Sequence, residues 1–205
     1  MEERVLLVDS DIFILLAAAG VLERVAHLLG VKLENVRRLK PLKYQLEKSS
    51  GFKRKYPEPI RNLAAGWCDR VAALDEEPSG RDILDRLNVT KGIDEGEGLL
   101  FALLSERPFY YLASGDKRGM VAVATAPELA DIRSAVAGRI ICLETVLGML
   151  IREDGPDAVK AAFVPLCTCN KSLTVFFSET DCLEAVHSYF NDLVRQTGEG
   201  FLMVP

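Results

Sequence analysis

Carboxylates fall at three places where an α/β protein can build a site. Asp9 and Asp11 directly follow the short apolar run Arg4-Val5-Leu6-Leu7-Val8. Asp116 follows a second such run, residues 109–113. Asp94 and Glu97 open a helix-like segment, Ile93-Asp94-Glu95-Gly96-Glu97-Gly98. Carboxylates gathered in one site repel one another while ionised. A divalent cation removes that conflict, and hard oxygen donors suit Mg²⁺ or Mn²⁺. Two such ions, about 3.5–4 Å apart, stabilise the attacking and leaving oxygens of a phosphodiester. Hydrolysis of that kind needs no protein nucleophile, and none stands out: His27 and His187 are isolated, and Gly-x-Ser-x-Gly is absent. Each acid also has a local alternative. Asp9 suits a helix cap, Asp94 and Glu97 have the spacing of a capping box, and Asp116 suits a turn.

The elements that would position these acids follow from hydropathy. Residues 4–8 read as a strand buried on both faces, as in parallel sheets. Helices are expected over residues 12–22 and 21–34, and a strand over 36–39. Pro41 suits the first turn of a helix through 42–48. Residues 49–80 are punctuated by Gly and Pro, with a helix expected over 60–74. Further helices are expected over 81–87 and from Asp94 to 105. A strand over 109–113 leads to a helix through Ala122 and Ala126. A strand over 138–143 leads to a helix over 144–151, and the strongest later element is a helix over 181–196. Strands alternating with helices predict an α/β fold with a parallel sheet. In such sheets sites form beyond the carboxyl ends of strands, where the strand order reverses.

The segment Leu6-Leu7-Val8-Asp9-Ser10-Asp11-Ile12-Phe13-Ile14-Leu15 resembles the opening strand and loop of PIN-domain proteins. Ile93-Asp94-Glu95-Gly96-Glu97-Gly98-Leu99-Leu100 resembles the Gly-Glu-Ala helix start of one PIN branch. Tyr111-Leu112-Ala113-Ser114-Gly115-Asp116-Lys117-Arg118 resembles the strand that ends in Thr/Ser-x-Asp-x-Arg. Their order and separations also fit, over about residues 1–150. The resemblance implies a three-layer α/β/α PIN-like domain over 1–150, with a central, mainly parallel five-stranded sheet. Residues 151–205 then form a C-terminal helical extension packed on it. It further implies a metal-dependent endoribonuclease using Mg²⁺ or Mn²⁺, often the toxin of a toxin–antitoxin pair, so that RNA and an antitoxin are the expected partners. Carried onto this chain, Asp9, Glu97 and Asp116 are the metal ligands. Asp11, Asp94 and the Ser114 hydroxyl support them. Glu47, the one acid in the helix after the second strand, is the fourth acidic member.

The formal net charge is −5, which excludes a surface coated in positive charge. A local basic run remains: Arg37, Arg38, Lys40, Lys43, Lys48, Lys53, Arg54 and Lys55, opposed by Glu47 alone and interleaved with Tyr44, Phe52 and Tyr56. It reads either as an RNA-binding surface, with cations on phosphates and aromatics on unpaired bases, or as a solvated face. Lys117 and Arg118, beside Asp116, could also touch phosphate. Five cysteines with irregular spacing and no secretory signal read as reduced thiols in a cytoplasmic protein. The Cys167-Thr168-Cys169 pair lacks the further ligands of a zinc site. No apolar run is long enough for a membrane span. The apolar stripe of the last helix completes the core or pairs two subunits as a homodimer, with the core favoured. The alternative to a nuclease is a non-catalytic PIN-like module that binds RNA or a protein. A phosphatase of the aspartyl-phosphate kind or a nucleotide-binding α/β protein is a third reading, weakened because the former's Lys and further acids have no place here and no Gly-x-Gly-x-x-Gly or Walker-type loop is present.

Overall fold

The computed structural model describes residues 3–204. Five parallel strands form one sheet: β1 (Val5–Val8), β2 (Val36–Arg38), β3 (Ala72–Ala73), β4 (Tyr110–Ser114) and β5 (Ile140–Cys142). Their order is β3-β2-β1-β4-β5. The chain therefore builds outward from β1 on one side, then returns across it to begin β4. The switch point lies between β1 and β4, where Val8 pairs with Ala113.

The strands alternate their side chains between two cores. Leu6, Val8, Val36, Ala113 and Ile141 face one layer of helices. It holds α1 (Ser10–Ala18), α2 (Leu22–Leu28), α3 (Leu42–Lys48), α5 (Glu58–Cys68), α10 (Leu143–Asp154), α11 (Pro156–Phe163) and α12 (Lys171–Ser178). Leu7, Leu112, Ile140 and Cys142 face the other layer. That one holds α6 (Arg81–Val89), α7 (Glu95–Glu106), α8 (Lys117–Thr125) and α9 (Ala130–Val136), and α13 (Cys182–Thr197) spans the two, with Cys182 and Val186 in the first core and Phe190 and Leu193 in this one. A short helix, α4 (Ser50–Lys55), bridges α3 and α5. Burial on both faces explains why the strands read as continuous apolar runs.

Several boundaries differ from the sequence expectation, each for a local reason. Gly20, at φ +72°, ends α1, and Gly30, at φ +67°, follows the end of α2. Both are left-handed positions that glycine adopts freely. The expected helix over 60–74 stops at Cys68, and Ala72–Ala73 pairs with Arg37–Arg38 as a fifth strand. Within 49–59, where no element was expected, the Ser49 side chain accepts the Phe52 N–H and starts α4.

Residues beyond 151 share both cores. Phe163, Leu173 and Phe176 join one, while Phe190, Leu193, Phe201 and Leu202 join the other. The apolar stripe of α13 is thus buried within the chain. After α13 the backbone returns to β5: Leu202 bridges Ile140, and the Met203 N–H donates to the Ile140 carbonyl at 2.8 Å. No helix among the described residues is long and apolar enough to cross a membrane.

Candidate functional site

Asp9 ends β1 and caps α1. Its backbone N–H donates to the Ala113 carbonyl at 2.9 Å, tying it to β4 across the switch point. Its Oδ1 accepts the Ser10 N–H at 2.6 Å. Asp116 stands two residues beyond β4 and caps α8. Its Oδ1 accepts the Arg118 and Gly119 N–H groups at 2.8 and 3.3 Å, and its Oδ2 takes the Arg118 guanidinium at 3.0 Å. The buried Ser114 hydroxyl accepts the Asp116 N–H at 3.2 Å and so fixes the turn.

Glu97 arrives from a third direction. Asp94 caps α7, and the capping box is complete: Glu97 N–H donates to Asp94 Oδ1 at 2.8 Å, and Asp94 N–H to Glu97 Oε2 at 3.0 Å. The Glu97 carboxylate also lies against α8, because a Cβ on Gly119 would stand 2.9 Å from Oε1. The capping roles foreseen for Asp9, Asp94 and Glu97 are therefore real, and Asp116, expected in a turn, caps α8. Capping leaves Asp9 Oδ2 and Glu97 Oε1 without a hydrogen bond from any described residue.

The electrostatics are those of crowded acids. Burial pushes Asp9 up to about 7, with the charges of Asp11, Asp94 and Asp116 adding to the rise. Burial likewise pushes Glu97 up to about 8, with Asp116, Asp94 and Asp9 contributing against the lowering hydrogen bond from Asp94. Asp116 goes the other way: burial opposes its ionisation, but the Arg118 side chain and the Arg118 and Gly119 amides outweigh it and hold it low. Asp9 and Glu97 form no ion pair among the described residues.

These residues line one cleft of about 660 Å³, together with Ser10, Asp11, Leu39, Pro41, Gln45, Phe52, Asp94, Glu95, Gly96 and Leu99. Asp11 is held from the side: the Tyr56 hydroxyl donates to its Oδ1 at 2.7 Å, and Lys55 pairs with its Oδ2. Glu47 is exposed on α3 and lies outside the cleft, where Gln45 supplies the wall instead.

The basic run divides. Arg38 is buried, with its guanidinium on the Cys68 and Leu39 carbonyls. Arg37 bonds the Glu34 and Val36 carbonyls. Lys40 pairs with Asp75, Lys43 with Asp69 and Lys55 with Asp11. Lys53 and Arg54 are exposed on α4 without an ion pair among the described residues. Arg118 is 85% exposed, whereas Lys117 is turned onto Glu144 at 2.6 Å.

Asp9 and Glu97 are oxygen donors of the kind a hard divalent cation takes, both are buried without a cationic partner among the described residues, and the charge of Asp9 adds to the rise of Glu97. The geometry is open: among the described residues no three acidic, His or Cys side chains stand together as a closed metal-ligand set. Gln45 and Glu144 went unnoticed in the sequence, whereas Phe52, named there among the aromatics of the basic run, lines the cleft. Glu144 had a legible signal, since it follows β5 at the spacing at which Asp116 follows β4. In comparisons with known proteins, no family model, no curated protein and no solved structure matches the chain.

Proposed function

We propose that this protein is a metal-dependent endoribonuclease of the PIN type, holding Mg²⁺ or Mn²⁺ at Asp9, Glu97 and Asp116. One observation carries the reading: acids from three separate segments line one cleft beside the sheet's switch point, and two of them are buried without a counter-charge among the described residues. When bound, the ion supplies a Lewis acid for the phosphoryl oxygens and lowers the pKa of bound water. The chain's own part is positional. The caps hold each carboxylate at a strand end or helix head, and the low-pKa Asp116 presents a ready negative charge. Phe52 and Gln45 form one wall, and exposed Lys53, Arg54 and Arg118 offer cations for the phosphates of RNA.

The test is replacement of Asp9 or Asp116 by Asn. Either variant keeps the fold and loses RNA cleavage and Mn²⁺ binding. Undiminished cleavage by purified D9N or D116N rejects the reading.

A second reading, a PIN-like module that binds RNA or a protein without cutting, draws on two observations. Glu47 stays outside the cleft, and Lys40, Lys43 and Lys55 are engaged within the chain. Calorimetric titration separates the two: absence of Mn²⁺ binding below millimolar concentration favours the module.

A further inference from the structure

Glu144 is the second residue of α10 and is wholly buried, at 0% exposure. A buried carboxylate is tolerated when a cation compensates it. Here the cation is Lys117, whose Nζ lies 2.6 Å from Glu144 Oε1; the ion pair is the compensation, since neither carboxylate oxygen accepts a hydrogen bond among the described residues. The same ammonium sits 5.0 Å from the ring centroid of Tyr189 on α13. Lys117 is therefore gripped from two sides, by the element that follows β5 and by the last helix of the chain.

We propose that Lys117, held between Glu144 and Tyr189, is a positioning residue that sets the acidic cleft. Lys117 is the first residue of α8, next to its cap Asp116. The next two residues, Arg118 and Gly119, give the amides that hold Asp116 Oδ1, and Gly119 is the surface on which the Glu97 carboxylate rests. Fixing Lys117 fixes the rotation of this first turn, and with it the separation of two of the three acids. A lysine merely reaching for phosphate has no need of a buried acid. The anchor also gives the C-terminal helix α13 a part in the cleft that its distance along the chain conceals.

This inference rests on the metal-centre reading, and its test keeps the two apart. In K117M/E144M the ion pair is replaced by apolar side chains of similar length, a change that folds tolerate when both charges leave together. The double variant melts cooperatively. Hydrogen exchange at the Arg118 and Gly119 amides quickens about tenfold, and calorimetric Mn²⁺ affinity falls about tenfold. Unchanged amide protection overturns the proposal, as does unchanged Mn²⁺ affinity alongside lost protection. Should the wild type bind no Mn²⁺, the metal-centre reading fails, and amide protection alone decides whether the pair holds the cap. Should the double variant fail to fold, Y189L is read in the same way, because Tyr189 is partly exposed and its loss leaves the ion pair in place.

Discussion

The Glu97 carboxylate rests on the bare Cα of Gly119, where an added Cβ would meet Oε1 at 2.9 Å, Oε2 at 3.0 Å and Cδ at 3.1 Å. Two helices from different parts of the chain thus meet at an acid and a glycine. In an ordinary helix, alanine for glycine stabilises by about 0.5–1 kcal/mol. Here the methyl group displaces the carboxylate. G119A is expected to keep or raise the melting temperature while Mn²⁺ affinity drops about tenfold. Wild-type affinity in G119A removes the claim that Glu97 is seated there.

The raised acids set a pH dependence. Asp9 at about 7 and Glu97 at about 8 lie above their unfolded values, so between those values the native state binds more protons than the unfolded chain. Their contribution to stability is full below about pH 4 and is lost as pH rises through about 7 and then 8. The metal-free protein therefore melts at lower temperature at about pH 9 than at about pH 6, and D9N flattens the profile. Mn²⁺ affinity runs the opposite way, rising with pH as the carboxyls lose their protons. Calorimetric melts with and without chelator check both signs. A metal-free melting temperature that climbs over this range contradicts the electrostatic account.

Asp11 serves the cleft wall. Its two oxygens engage Tyr56 and Lys55, at the end of the short helix that carries Phe52. Tyr56 is 1% exposed, so Y56F removes one buried hydrogen bond and little volume. Its expected loss is about 1 kcal/mol in urea unfolding. Loosening the wall should raise KM for RNA more than it lowers kcat. Equal falls in kcat and kcat/KM would instead place Asp11 in the chemistry.

Glu47 offers a clean contrast with the clustered acids. It is exposed and outside the cleft, so E47Q leaves stability, Mn²⁺ affinity and cleavage within error of the wild type. A large loss of cleavage in E47Q would show that α3 turns Glu47 toward the cleft.

The parallel sheet and the strand-end positions of Asp9 and Asp116 were legible because both-sided burial leaves an apolar run, ending directly at Asp9 in one case and two residues before Asp116 in the other. The capping box at Asp94 and Glu97 was legible for the same reason: local hydrogen bonding dictates residue type at fixed spacing. Other features depend on tertiary context. Ala72–Ala73 carries no strand signal of its own and pairs only because β2 presents an edge. The basic run reads as one surface, yet Arg38 turns inward to carbonyls and Lys40 and Lys43 find acids some thirty residues away. Glu144 passed as an ordinary first-turn helix acid, since nothing in its neighbours announces that Lys117 and Tyr189 will close over it.

The backbone that returns beside β5 has a consequence for assembly. An open sheet edge is a template on which another chain can pair. Leu202 and Met203 occupy that template along Ile140, and the opposite border is the two-residue β3. Among the described residues both borders of the sheet are short or covered, which disfavours strand-to-strand pairing with a second copy and leaves helices and loops as the more accessible surfaces.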